Sequence, residues 1–151
     1  MRIMGLDYGS RTVGVALTDP LGLTAQPLET ITRESENKLR KTFARLEQIV
    51  SEYQVSAIVL GLPLNMDDSV GERAQKSLEF KEKLENRLHL PVTMYDERLS
   101  TVAADEILEE MNVPQSERKK YIDKIAASCI LEDYMNHSDR KEQHTENNNG
   151  K

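Results

Sequence analysis

The chain has 151 residues, of which 38% are hydrophobic and 30% charged, and its formal net charge is −6 at pH 7. This length suits one domain with a sizeable core, and the composition is that of an ordinary globular protein. No apolar run approaches the roughly 18–20 residues that a membrane span needs, and the N-terminus lacks a signal-peptide pattern, so we expect a cytoplasmic protein outside the membrane.

Two further bulk features limit the chemistry. The single cysteine, Cys129, cannot by itself form an intramolecular disulfide or a thiolate metal site. It lies in an apolar run, where a buried and unreactive thiol is expected. The acidic net charge argues mildly against a general nucleic-acid coat protein, yet it permits a local basic surface.

The chain begins with two predicted strands joined by a tight turn. Apolar residues from Ile3 to Leu6 lead into Asp7, and residues 9–11 interrupt the pattern before it resumes at Val13. A carboxylate at the end of a buried strand is costly unless a cation or hydrogen-bond donors accompany it. Asp7 is therefore either a ligand of a metal or cationic group, or a turn residue that accepts hydrogen bonds from nearby N–H groups.

A third strand, a helix and a fourth strand follow. The alternation in Leu28–Thr32 predicts an antiparallel strand, and Ser35 is a suitable N-cap for a helix that ends near Tyr53. The run Val55–Leu60 lacks strict alternation, which is typical of a central strand covered on both faces. It leads into a loop at residues 61–65, whose Gly and Pro indicate an unusual backbone.

A second helix and a fifth strand come next. Ser69 and Glu72 have the spacing of a capping box, which predicts a helix start. The predicted inward face of this helix consists of Val70, Ala74, Ser77, Lys81, Leu84 and Leu88. The stretch Leu90–Tyr95 predicts the fifth strand, and three charged residues, 96–98, follow it directly.

Two more helices complete the predicted fold, over residues 100–111 and 116–136. Beyond them the sequence is polar and rich in asparagine, which is typical of disorder. We therefore assign residues 1–136 to one domain and residues 137–151 to a disordered polar tail.

This order of elements predicts an α/β fold with a five-stranded mixed sheet and helices on both faces. Strands four and five are reached through helical crossovers, so they should run parallel to the first strand. The C-terminal ends of strands one, four and five then share an edge, where ligands bind in open α/β sheets. Asp7, the loop at residues 61–63 and the pair Asp96-Glu97 are expected to meet there.

The acids expected at this edge suit a metal site. Two close carboxylates such as Asp7 and Glu97 repel unless a cation lies between them, and an all-oxygen site favours Mg²⁺ or Mn²⁺ over Zn²⁺. Asp123 of the last helix shares a face with Ala126 and Ala127, whose small side chains would let that helix approach the sheet. Three carboxylates in this arrangement suit metal-assisted hydrolysis of a phosphodiester.

A structural alternative stays open at this point. In it, Glu97 pairs with Arg98 or Arg11, and Asp123 pairs with one of the neighbouring lysines. Neither acid then needs a metal, because each finds its counter-charge within the protein.

Four separated motifs lie along the chain: Gly5-Leu-Asp-Tyr-Gly-Ser-Arg-x-Val-Gly-Val-Ala16, Gly61-Leu-Pro-Leu-Asn-Met66, Asp96-Glu-Arg-Leu-Ser-Thr101 and Asp123-x-x-Ala-Ala127. In sequence and order they resemble the motifs of the YqgF family, also called RuvX, whose members are Holliday junction resolvase-like nucleases. The resemblance covers nearly all of residues 1–136. It implies the RNase H-like fold and a role in processing the 5′ end of pre-16S ribosomal RNA.

The resemblance also implies roles for individual residues. The family's acidic catalytic and metal-binding triad corresponds to Asp7, Glu97 and Asp123, with Mg²⁺ or Mn²⁺ as the expected cofactor. The positions expected to contact the substrate or flank its cleft are Arg11, Asn65 and Arg98.

Three other functions compete with this one. A resolvase of four-way DNA junctions would normally act as a symmetric dimer, and the sequence has no obvious dimerisation helix. A non-catalytic RNA-binding factor for ribosome assembly is a second alternative, although no aromatic pair typical of RNA-binding sheets is evident. The first motif also resembles a phosphate loop of the actin, sugar-kinase and Hsp70 group, whose second half is missing here. We expect an RNA nuclease that is a monomer or weak homodimer, with branched DNA as the other candidate substrate.

Overall fold

A computed structural model describes residues 2–64, 67, 69–97 and 100–149, with side chains for all of these except residues 100–102 and 138–149. In chain order, the elements are β1 (Arg2–Tyr8), β2 (Thr12–Thr18), β3 (Ala25–Thr32), α1 (Arg40–Tyr53), β4 (Val55–Leu62), α2 (Glu72–Leu88), β5 (Val92–Asp96), α3 (Ser100–Glu110), α4 (Gln115–Arg118) and α5 (Ile122–Asn149). None of these helices, as far as the structure describes them, is both long and apolar enough to cross a membrane.

The five strands form one mixed sheet in the order β3-β2-β1-β4-β5. The first three strands are antiparallel neighbours, as their short connections require. Strands β4 and β5 join through helical crossovers and run parallel to β1, which confirms the predicted topology. The C-terminal ends of β1, β4 and β5 consequently lie at the same edge of the sheet.

Strand β1 shows how the two faces of the sheet divide the helices. Its side chains alternate, so Met4, Leu6 and Tyr8 join the large core that includes buried residues of α1 and α2. Gly5 and Asp7 therefore point to the opposite face. A smaller apolar cluster there joins the sheet to α5 through Ala16, Val59, Ala127, Ile130 and Leu131.

Helix α5 lies unusually close to the sheet because glycines face it. A Cβ atom added to Gly14 would lie 2.0 Å from the backbone oxygen of Asp123, and one added to Gly5 would lie 2.8 Å from Cβ of Leu131. Gly14 pairs with Asp7 across β1 and β2. The first turn of α5 is therefore seated directly over the strand pair that carries Asp7.

Two predicted helix starts are wrong. Helix α1 begins at Arg40, with Leu39 at its N-cap position, and not at Ser35. Residues 33–39 instead form turns around Arg33, whose Nε donates to the backbone oxygen of Glu36 at 3.3 Å. Helix α2 begins at Glu72 without a side-chain cap, because the hydroxyl of Ser69 donates to Asp67 Oδ1 at 2.6 Å. At Ser69 a local turn thus takes the hydroxyl that the predicted cap needed.

The inward face of α2 also differs from the prediction. Ala74, Ser77 and Leu84 are buried as expected, and Phe80, which the prediction omitted, is 1% exposed. Val70, which was predicted to face inward, precedes the helix and is 55% exposed. The face had been extended one turn too far towards the N-terminus, because the start of the helix was misplaced.

The last predicted helix is in fact two. The short helix α4 ends at Arg118, and the backbone N–H of Tyr121 donates to the backbone oxygen of Arg118 at 2.9 Å before α5 begins at Ile122. Asp123 consequently lies in the first turn of α5, where the positive end of the helix dipole favours a carboxylate. Helix α5 continues past residue 136, and the disorder of residues 137–151 stays a prediction.

Candidate functional site

Asp7 is the penultimate residue of β1, at the edge where β1, β4 and β5 end. The strand then turns back at once, since the N–H of Gly9 donates to the backbone oxygen of Thr12 at 2.7 Å. Because Asp7 alternates with the core residues Leu6 and Tyr8, its carboxylate points to the face covered by α5. This placement agrees with the predicted position at the ligand-binding edge.

Glu97 follows β5 directly and reaches the same place. Its backbone N–H donates to the backbone oxygen of Leu62 at 3.2 Å, which prolongs the pairing between the ends of β4 and β5. A Cβ atom added to Gly61 would lie 2.2 Å from Oε2 of Glu97. Gly61 thus leaves the space that the carboxyl group of Glu97 occupies, which gives a steric reason for a glycine near the end of β4.

The carboxyl groups of Asp7 and Glu97 form a hydrogen bond with each other. Burial, the charge of Asp7 and this hydrogen bond raise the pKa of Glu97 to about 9. Burial and the charge of Asp123 raise the pKa of Asp7, while the hydrogen bond from Glu97 and the charge of Arg73 lower it. Without a cation, the pair is therefore joined by a proton on Glu97, and a metal ion would take the place of that proton.

Asp123 approaches the pair from above the sheet. Its backbone lies over Gly14, the partner of Asp7, and its charge acts on Asp7. Among the residues that the structure describes, no three His, Cys, Asp or Glu side chains are arranged as a group that could hold a metal. The structure thus brings two of the predicted acids into contact and places the third within electrostatic range.

The donor set at this edge fits a hard divalent cation. All three acids offer oxygen ligands, and Mg²⁺ is commonly held by only one or two carboxylates while it keeps several waters. Mn²⁺ accepts the same ligands. As the structure places them, Asp7 and Glu97 would hold such an ion, and Asp123 stays the predicted third ligand.

The predicted substrate contacts are only partly described. The side chain of Arg11 is exposed in the turn after β1, and its backbone oxygen accepts from the N–H of Arg33 at 2.8 Å. Asn65 and Arg98 lie outside the described residues.

The sequence prediction missed one cation at this edge, Arg73. It lies in the first turn of α2, and its Nη2 donates to the backbone oxygen of Tyr8 at 3.3 Å. Its charge lowers the pKa of both Asp7 and Glu97. The signal available in the sequence was its position just after the loop that follows β4, since a helix that starts there starts at the ligand-binding edge.

The chain was compared with known proteins in sequence and in structure. The RuvX family, described as Holliday junction resolvase, matches residues 1–137. A protein of Lachnospira eligens, named as a candidate pre-16S rRNA nuclease, is 62% identical over 89% of this chain and 96% of its own length. A protein of the same name from Desulforamulus reducens is 51% identical over 89% of this chain and 96% of its own.

Two solved structures have a similar fold. RuvC of T. thermophilus, in complex with a Holliday junction substrate, superposes with a TM-score of 0.53 at 14% identity and covers 86% of this chain and 91% of RuvC. The Holliday junction resolvase of fowlpox virus gives 0.52 at 14% identity, with 91% and 99% covered. The predicted RNase H-like fold is confirmed, and the family match over residues 1–137 shows that the chain belongs to the RuvX family.

Proposed function

We propose that this protein is a metal-dependent endonuclease that hydrolyses phosphodiester bonds near the 5′ end of pre-16S ribosomal RNA. The observation that carries the proposal is the contact between the carboxyl groups of Asp7 and Glu97 at the ligand-binding edge, with Asp123 beside them. The names and high identity of the curated relatives support the choice of substrate. Ribosomal RNA precursors of bacteria are made in the cytoplasm, so the proposed substrate places the protein there.

Asp7, Glu97 and Asp123 would hold Mg²⁺ or Mn²⁺ in this proposal. Such an ion lowers the pKa of a water and stabilises the leaving oxygen of a phosphodiester. The ends of β1 and β5 position the carboxyl groups of Asp7 and Glu97. Gly61 leaves the space that the carboxyl group of Glu97 occupies. Asp123, on the first turn of α5, completes the site and orients the attacking water.

The substrate would lie along the rim of this edge. Arg11 is exposed in the turn that begins two residues after Asp7, and we assign it to a phosphate of the substrate. For Asn65 and Arg98 we propose the role expected from the sequence, which is to contact the substrate or flank its cleft.

A cleavage assay tests the proposal. A transcript that carries the 5′ leader of the 16S precursor is incubated with the protein and Mg²⁺, and the rates of wild type, Asp7→Asn and Asp123→Asn are compared. We expect both variants to lose at least about a hundredfold in rate, because each loses a charge that a cation needs. Asp105→Asn, which changes an exposed acid on α3, is the matched control and should cleave like wild type. Full activity in both site variants would refute the proposal.

A second candidate function is resolution of four-way DNA junctions. The specific observation in its favour is the fold shared with T. thermophilus RuvC, which was solved with a Holliday junction substrate. Such an enzyme needs two active sites on opposed strands, whereas we propose a monomer or weak homodimer. Running a four-way DNA junction beside the RNA substrate separates the two functions, and binding without cleavage of either would favour a non-catalytic assembly factor.

A further inference from the structure

Two arginines from different elements meet on the ring of Tyr8, the residue that follows Asp7. The guanidinium carbon of Arg33, just after β3, lies 4.9 Å from the ring centroid. That of Arg73, in the first turn of α2, lies 5.2 Å from the same centroid. Two cations are thus held together at the end of β1, immediately beside the acidic site.

The ring that carries them is fixed by the core. Phe80 stacks on Tyr8 with the centroids 4.1 Å apart and the planes within 5°, and Phe43 stacks on Phe80 at 5.5 Å. One face of the Tyr8 ring is therefore covered, and the guanidinium groups lie against the rest of it. Such stacking orients the planar groups, whose N–H edges point away from the ring.

Most of the hydrogen bonds of these arginines go to backbone oxygens, which carry no full charge. Arg33 donates from Nη2 to the backbone oxygen of Gly9 at 2.6 Å and from Nε to the backbone oxygen of Glu36 at 3.3 Å. Arg73 pairs through Nη1 with Oε1 of Glu36 at 2.5 Å. Among the groups that the structure describes, the carboxylate of Glu36 pairs with Arg73 alone of these two arginines, and the buried Nη1 of Arg33 has no hydrogen-bond acceptor.

Both features favour the binding of an anion. A buried donor without an acceptor costs free energy, and two like charges held close repel each other. Burial and the neighbouring charge of Arg73 both lower the pKa of Arg33. An anion with several oxygens, held by guanidinium forks, would relieve the repulsion and accept hydrogen bonds from the remaining N–H groups. The side chain of Arg73 is 37% exposed, so the cluster can be reached from solvent.

We propose that Arg33 and Arg73 bind a backbone phosphate of the substrate RNA strand, next to the phosphate that is cleaved. The site is continuous with the cleavage centre, because the charge of Arg73 acts on both Asp7 and Glu97. It extends the path of the strand from the acids across the end of β1 towards α1 and α2. The assignment of the ligand to the substrate strand rests on the proposed nuclease function.

A binding measurement without metal separates this proposal from catalysis. A fluorescent single-stranded RNA from the precursor leader is titrated with the protein in EDTA, so that cleavage cannot occur, at several salt concentrations. We expect Arg73→Gln to weaken binding about tenfold at about 0.1 M salt and to reduce the slope of log K against log salt by about 0.7. A failure to cleave RNA in Mg²⁺ would refute the nuclease while leaving this result intact.

The same helix supplies a matched control. Arg87, at the other end of α2, pairs with Glu47 at 2.5 Å, the same distance as in the pair of Arg73 and Glu36. Arg87→Gln should bind RNA with the affinity and salt slope of wild type. Equal effects of Arg73→Gln and Arg87→Gln would overturn the proposal, because a general loss of positive charge would then explain both.

Glu36→Gln distinguishes a phosphate site from a purely structural clamp. The substitution removes the carboxylate that competes for Arg73, so we expect RNA to bind about threefold more tightly and with a steeper salt slope. A clamp that only fastens residues 33–39 to the end of β1 predicts unchanged or weaker binding, and that result would overturn the proposal. This variant keeps both arginines, so the test stands even if Arg73→Gln does not fold.

Discussion

The carboxyl groups of Asp7 and Glu97 are partly buried and in contact with each other. Their effect on the stability of the protein depends on the pH and on whether a cation is bound. Burial and mutual repulsion disfavour two negative charges, so the pair keeps a proton when no cation is present. At high pH the pair lowers the free energy of unfolding of the metal-free protein, and a bound cation raises it again. The same two groups therefore link the pH, the metal and the stability of the fold.

The first prediction concerns stability against pH in EDTA. The pKa of Glu97 is raised from 4.5 to about 9, so between these values the folded chain holds a proton that the unfolded chain releases. The free energy of unfolding should fall as the pH rises through this window, because the folded state binds more protons. We expect Glu97→Gln, whose amide resembles the protonated acid, to show a flatter profile and to unfold about 5 °C higher than wild type at pH 9. Thermal unfolding by circular dichroism at pH 5, 7 and 9 measures both.

Magnesium provides the control for this experiment. Added Mg²⁺ should raise the unfolding temperature of wild type at pH 8 and leave Glu97→Gln nearly unchanged, since the variant has lost a ligand. Parallel profiles for wild type and variant would contradict the assignment of the raised pKa to Glu97.

The position of the Arg73 side chain beside the acids could not be predicted from the sequence. The positions of Asp7 and Glu97 at one edge of the sheet could be predicted, because the place of a carboxylate at the end of an apolar strand is fixed by the sheet. The orientation of Arg73 depends on Tyr8 and Glu36, which come from β1 and the turn before α1. No local pattern contains that information, since the contacts join residues 37 and 65 positions apart.

At the scale of elements, the seating of α5 on the sheet decides where Asp123 lies. The alternation of strands and helices predicted the sheet order, because crossover connections have a fixed hand and direction. The starts of α1 and α2 were mispredicted, because Ser35 and Ser69 lie in local turns. The gap between α4 and α5 was also missed. Arg118, the last residue of α4, donates to the backbone oxygen of Val113 and pairs with Glu109, so its side chain joins α4 to the end of α3.

The second prediction tests the close approach of α5. Gly14→Ala would place a Cβ atom 2.0 Å from the backbone oxygen of Asp123, so the first turn of α5 would have to move. We expect a loss of at least about 3 kcal/mol in the free energy of unfolding, or no folded protein at all. Urea denaturation measures the free energy of unfolding of the variant and of wild type.

Gly9→Ala is the comparison for this variant. Its nearest neighbour would be the side-chain oxygen of Thr12 at 3.0 Å, which can give way more easily than a helix backbone. A smaller loss is expected there. If Gly14→Ala were no worse than Gly9→Ala, α5 would not be seated as described.

The whole molecule has a formal net charge of −6, yet arginine side chains lie at the same edge of the sheet as the acids. Arg33 and Arg73 lie beside Asp7, and exposed Arg11 follows in the adjoining turn. Local positive charge attracts a polyanion, while the acidic remainder limits unspecific binding. Net charge alone therefore did not predict the class of partner.

The third prediction concerns the extent of the folded domain. Ending the chain after residue 137, where the family match also ends, should change the unfolding temperature by no more than about 2 °C and leave RNA cleavage intact. The last contacts described before this point join His137 with Tyr95 and Asp133, and the shortened chain keeps them. A large loss of stability or activity would show that the remaining residues belong to the domain.

We propose that Asp7, Glu97 and Asp123 form one metal-dependent cleavage site. The most direct measurement is the rate of cleavage of the precursor leader as Mg²⁺ is titrated, for wild type, Glu97→Gln and the control Asp105→Asn. We expect saturation with Mg²⁺ for wild type and the control, and a rate at least about a hundredfold lower for Glu97→Gln at every concentration. Cleavage by Glu97→Gln at the wild-type rate, or by wild type in EDTA, would contradict it.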